Sequence, residues 1–223
     1  MTAPTATGYR QDLRSRYREV RQATERLCAP LAVEDCVPQS MTDASPVKWH
    51  LAHTTWFFET LVLVPTVTNY RPFHPAFRYL FNSYYNALGA QYPRPHRGLV
   101  TRPTVAEVRE YRAYVDRQME ELLERHEQGE MRVREDVIVL GMNHEQQHQE
   151  LILTDLKHLW SFNPLRPVYR EAPAPAARQV PPVTWFRFEE GIREIGHAGP
   201  GFAFDNETPR HRVFVHAFEI ASR

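Results

Sequence analysis

The chain has 223 residues, with 27 basic and 27 acidic side chains and a sequence pI of about 7.2, a balance that offers no phosphate-binding surface and argues against nucleic acid as a partner. The length suits one generous domain, or one domain plus a piece of another. The N-terminus lacks a signal peptide's positive and apolar regions, and no apolar run approaches the ~20 residues that cross a bilayer, so a soluble cytoplasmic protein is expected, with Cys28 and Cys36 as ordinary thiols.

In chain order, residues 1–7 read as a loose polar tail. From Tyr9 to Ala29, apolar Leu13, Tyr17, Val20, Ala23 and Leu27 recur at the steps of an amphipathic helix with an Arg/Glu outer face. Pro30 and Pro38 close it. Ser45-Pro46 reads as a second helix start, Ser45 at the N-cap and Pro46 in the first helical position. That helix runs to about Leu63, is apolar almost all round, is expected to be buried on more than one side, and is ended by Pro65. The Pro- and aromatic-rich stretch from Thr66 to Pro103 is too long for a simple loop and implies a lid, a crossover or short extra helices. Thr104 and Glu107 form a capping-box pattern, and Val105, Val108, Tyr111, Val115, Met119 and Leu122 stripe a third helix to about Glu127. A fourth helix, Glu135 to Trp160, carries Val137, Leu140, His144, His148, Leu151 and Asp155 on roughly one face. Four long helices with one extended crossover predict a mainly α protein, a four-helix bundle over residues 1–165. Residues 166–183 follow as a Pro/Ala-rich linker. Residues 184–223 are glycine-rich, include a strand pattern over Arg212–Ile220, and are too few to bury a core, so they read as the β-rich opening of a second domain.

His144 and His148 stand one helical turn apart on one face, the spacing at which two imidazoles can grip one metal ion. Two ligands rarely suffice. His158 lies about 15 Å further along the helix axis than His148 and cannot share the ion. On the second helix, His53 shares a face with Trp49, Ala52 and Trp56, and His50 with Thr54, Phe57 and Leu61. Spacing favours His53 slightly and leaves His50 open.

Ser45-Pro46-Val47-Lys48-Trp49-His50-Leu51-Ala52-His53-Thr54-Thr55-Trp56-Phe57-Phe58-Glu59 and Asn143-His144-Glu145-Gln146-Gln147-His148-Gln149-Glu150-Leu151 resemble the N-terminal domain of the ergothioneine-biosynthesis sulfoxide synthases. So do Asn82-Ser83-Tyr84-Tyr85-Asn86-Ala87-Leu88-Gly89 and Arg97-Gly98-Leu99. Gly201-Phe202-Ala203-Phe204-Asp205-Asn206-Glu207-Thr208-Pro209-Arg210-His211 resembles the opening of their C-terminal domain, of the formylglycine-generating-enzyme (sulfatase-modifying-factor) type. The resemblance covers nearly all of residues 9–223. It implies a DinB-like four-helix bundle in which His53, His144 and His148 hold a non-haem Fe(II), with Zn, Ni or another divalent ion able to occupy the same donors on purification. It implies an iron-dependent oxidoreductase that uses O₂ to join cysteine or γ-glutamylcysteine to C2 of the hercynine imidazole, with oxidation of the sulfur to the sulfoxide.

In such relatives the glutamine matching Gln147 contacts hercynine, and arginines in the region of Arg94 and Arg97 bind a substrate carboxylate, for which a guanidinium fork is suited. Glu150, although within the family's H-x-x-x-H-x-E motif, falls off the ligand face by helical arithmetic and reads as a structural residue. The family's catalytic tyrosine belongs to a part of the C-terminal domain beyond Arg223, so the chain reads as a truncated form, able to build the site and still be inactive. Apolar surface left by the missing part would favour a homo-oligomer. Two other functions compete. One is a DinB-like divalent-metal-dependent thiol S-transferase, which has no need of the segment from Trp185; the other is a non-catalytic metal-binding remnant.

Overall fold

A computed structural model describes residues 6–83, 89–171 and 180–223, with side chains from Leu13 onward. The Tyr84–Leu88 part of the resemblance, the first residues of the N-terminal tail and residues 172–179 of the Pro/Ala-rich linker lie outside the described residues. The chain divides into two compact units, Met1–Arg170 and Glu171–Arg223. The protein is mainly helical with a short C-terminal β region, the fold class that the periodicity predicts.

The first unit is built on four helices: α1 (Ala6–Cys28), α2 (Val47–Phe58), α3 (Val105–Glu127) and α4 (Glu135–Ser161). Each of α1 and α2 packs against both α3 and α4. Every residue of α2 is buried, as its all-round apolar character requires, and Trp56, Phe57 and Phe58 are completely enclosed. Gly141 brings α4 close to this aromatic row, since a Cβ there would lie 2.7 Å from the rings of both Phe57 and Phe58. The expected stripe of α3 is buried throughout, and its capping box forms: Glu107 N–H donates to Thr104 Oγ1 (3.1 Å) and Thr104 N–H to Glu107 Oε2 (2.6 Å).

The start of α2 differs from expectation. Pro46, not Ser45, is the N-cap residue, and no side chain caps the helix. Ser45 is drawn into other bonds: its backbone N–H donates to Asp155 Oδ2 (2.8 Å) and its hydroxyl accepts from Arg97 (2.9 Å). The other end of α2 continues through a π-helical segment, Glu59–Leu63, and a last turn, Val64–Thr66, so that the helix ends one residue past Pro65, close to the expected stop. At the start of that segment the buried Glu59 carboxylate accepts from Tyr111 Oη (2.6 Å), Tyr70 Oη (3.0 Å) and the Phe73 N–H (2.9 Å). The long connection to α3 contains the expected short helices, Phe77–Leu80 and the 3₁₀ segment Arg94–Leu99.

The second unit holds two antiparallel strand pairs. β1 (Trp185–Phe188) pairs with β4 (Phe218–Ala221), and β2 (Gly191–Ile195) with β3 (His211–Val215). The single strand expected over Arg212–Ile220 is therefore two, divided at His216-Ala217 where the chain passes from one pair to the other. No helix among the described residues is long and apolar enough to cross a membrane. Cys28 and Cys36 are free, buried thiols, and burial pushes them up to about 12 and about 11, which keeps them unreactive.

Candidate metal centre

Where α2 faces α4, His53, His144 and His148 each offer one ring nitrogen, all within 4.8 Å of one another. His53 Nε2 and His144 Nε2 are 3.2 Å apart. Two nitrogens each about 2.1 Å from one ion would be about 3.0 Å apart at a right angle and about 3.4 Å apart at the tetrahedral angle, so the pair is already spaced as two ligands of one centre.

The rings are held from behind. His53 Nδ1 donates to the Phe81 carbonyl (2.6 Å), which leaves Nε2 with its lone pair toward the other two rings. The His53 ring is stacked between Trp49 (4.5 Å between centroids) and Trp56 (5.6 Å). His50, the alternative that spacing leaves open, stands behind the group: its Nδ1 is 2.8 Å from His148 Nδ1 and its Nε2 is 3.0 Å from Asp155 Oδ2. His158 contacts Ser40 (2.8 Å), away from the other histidines, as its position on the helix requires. Burial, followed by the mutual repulsion of the rings, pushes His53 and His148 well below the ordinary imidazole range, and burial brings His144 to about 4. All three are neutral at pH 7 and can donate lone pairs to a cation, a donor set suited to Fe, Zn, Cu or Ni.

A cavity of about 300 Å³ opens onto the three rings, and Gln147, Arg94 and Arg97 line it with them. Gln147 is exposed, and Glu150 is exposed and not among the lining residues. Arg97 is not a solvated loop arginine. It is buried, its guanidinium donates to Ser45 Oγ and Ser83 Oγ (2.9 Å each) and lies 3.4 Å over the Trp49 ring. Arg94 is half-buried and donates to the Asp43 carbonyl.

Two features escape a reading by motif. One is Asp155, which spacing places only on the α4 face. The other is a buried ionic network next to the site. Glu145, fully enclosed, accepts from Arg21 Nη1 (2.8 Å), Thr24 Oγ1 (2.6 Å) and Arg112 Nη2 (2.6 Å). Burial alone would raise this carboxyl, but Arg112, Arg21 and the Thr24 hydroxyl together hold it at about 2. A signal for it does exist in the sequence: Arg112 sits on the apolar stripe between Val108 and Val115, and Glu145 at helical steps from Met142 and Ile152.

Residues 16–152, more than half of the chain, match the DinB superfamily. No curated protein matches the chain.

Proposed function

The chain belongs to the DinB superfamily, whose domains bind divalent metals, and on that premise we propose that it is a non-haem Fe(II)- and O₂-dependent sulfoxide synthase, joining cysteine or γ-glutamylcysteine to C2 of hercynine. The observation that carries this reading is the convergence of three neutral imidazoles on one wall of a cavity of about 300 Å³, which leaves the opposite side for small molecules. The resemblance of residues 45–59, 143–151 and 201–211 supports the choice of substrates and the assignment of residues 184–223 to the opening of a formylglycine-generating-enzyme-type domain.

Bound to His53, His144 and His148, Fe(II) would leave up to three positions for thiolate, imidazole and O₂, and would supply the redox chemistry. The overall change balances: the thiol S–H and the imidazole C2–H are replaced by a C–S bond, one oxygen atom goes to the sulfoxide, and the other leaves as water with both hydrogens. The amide of Gln147 offers a donor and an acceptor to the substrate imidazole. The Arg94 side chain, at the cavity, offers positive charge to a carboxylate. Arg97 shapes the wall by fixing Trp49, Ser45 and Ser83 in place.

A thiol S-transferase that activates its thiolate on a divalent ion is supported equally by the superfamily match, which covers the bundle alone. Mass spectrometry separates the two. Protein loaded with Fe(II) without oxygen is expected to retain the metal, and His148→Ala is not; sulfoxide formed when the loaded protein is then given hercynine, either thiol and O₂ identifies the synthase. If neither thiol gives sulfoxide while Zn(II)-loaded protein alkylates a thiol with an added electrophile, the transferase reading replaces the first.

A further inference from the structure

His50 and Asp155 are used by neither reading as ligands, yet both are held with care. His50 is 2% exposed, and the side chain of Asp155 is 11% exposed. We propose that Asp155 and His50 form a relay behind the metal site that fixes which nitrogen of His148 faces the ion and makes His148 the strongest donor of the three. The inference rests on the reading that the three histidines hold a metal.

Asp155 Oδ2 accepts from the Ser45 N–H (2.8 Å) and stands 3.0 Å from His50 Nε2. A carboxylate can only accept, so the proton of the second contact belongs to His50 Nε2. A neutral imidazole carries one N–H, so His50 Nδ1 is then bare and can only accept. His148 Nδ1, 2.8 Å away, must donate to it. That leaves His148 Nε2 bare, to meet the ion. The opposite tautomer of His148 would set two lone pairs against each other at 2.8 Å.

The placement follows from the helices. Asp155 lies two turns beyond His148 on the same face of α4, too far to touch it directly, and His50 from α2 spans the gap. The carboxylate polarises His50, and His50 polarises His148, which raises its basicity toward a cation. The other two rings differ. His53 has a neutral backbone carbonyl behind it, and the buried His144 Nδ1 has no hydrogen-bond partner among the described residues.

Two measurements test it. The first needs no metal. Long-range ¹H–¹⁵N correlation spectra of the metal-free protein at pH 7 are expected to show His148 as the Nδ1–H tautomer, with that preference lost in His50→Phe. An Nε2–H tautomer in the wild type overturns the relay whatever the metal does.

The second is Co(II) titration followed by visible absorption, with circular dichroism to show that each variant is folded. His50→Phe is expected to bind Co(II) about 10- to 100-fold more weakly, the usual loss when the partner of a metal-bound histidine is removed. His50→Asn, whose side-chain oxygen can replace Nδ1 as acceptor, should recover most of it, and Asp155→Asn should weaken binding by less than His50→Phe. Equal binding by all of these overturns the relay, and so does an Asn variant as weak as the Phe variant. Failure of the metal reading looks different: the wild type takes up no Co(II), or His148→Ala binds as tightly as wild type.

Discussion

At the scale of single residues, the site depends on imidazoles that burial keeps neutral. His144 titrates at about 4, and His53 and His148 also lie below the ordinary range. Metal uptake at pH 7 therefore has no protons to displace from these rings. Calorimetric titration with Zn(II) in buffers of different ionisation enthalpy is expected to give the same heat in each. The sign of the pH dependence follows: affinity should stay flat as pH falls through the ordinary imidazole range near 6.5 and weaken only on approach to about 4. A loss of affinity centred near 6.5 would mean that the rings are solvated in the metal-free protein. The sequence shows the 144/148 pair because helical periodicity alone sets it. It does not separate His53 from His50, because what distinguishes them comes from elsewhere: the Phe81 carbonyl, from the long connection, orients one, and Asp155, from α4, orients the other.

At the scale of elements, the four helices were legible because apolar residues recur at helical steps along α1, α3 and α4 and run all round α2, and the capping box of α3 was legible because Thr104 and Glu107 need only each other. The π-helical segment was not, since Glu59 is stabilised there by Tyr70, Phe73 and Tyr111, two of which are on the chain after α2 and one on α3. The Glu145 network ties α4 to α1 and α3. Glu145→Gln removes the enclosed carboxylate that Arg21 and Arg112 share, leaving Arg21 to Asp116 and Arg112 to Glu25, and is expected to cost about 1–3 kcal/mol in denaturant unfolding. Because the folded carboxyl is depressed to about 2 from 4.5, its contribution is fully present above 4.5 and is lost as pH falls toward 2. That part of the acid destabilisation, on the order of 3 kcal/mol, should be missing from the variant. Gly141→Ala tests the approach of α2 to α4. Alanine is the better helix former by about 1 kcal/mol, but its Cβ would meet Phe57 and Phe58 at 2.7 Å. Overpacking of about 1–3 kcal/mol outweighs the propensity gain, so a lower melting temperature is expected. Co(II) affinity should fall with it, as His53 and His144 are forced apart; a stabilised variant would show that the helices can separate without cost.

At the scale of the molecule, the two units contrast in how they treat apolar surface. The first encloses a continuous core from Leu13 to Ile152, and every residue of the candidate site belongs to it. The second leaves Trp185, Phe186, Ile192, Phe214 and Ile220 more than half exposed on two short strand pairs. Two-stranded pairs without a covered apolar face are at best marginally stable in water. The change from helical to strand period after the Pro/Ala-rich stretch made this division legible in the sequence. The number and pairing of the strands was not, because β1 finds its partner β4 some thirty residues away through backbone bonds that no side-chain pattern announces. A physical consequence can be measured. Residues 1–170 expressed alone are expected to unfold cooperatively, with a melting temperature within a few degrees of the whole chain's, and to bind the same equivalent of Co(II). Residues 171–223 alone are expected to show no cooperative transition. If the shorter protein loses its metal or melts far lower, then the stability of the three-histidine wall is not a property of the bundle, and the second unit must contribute to it directly.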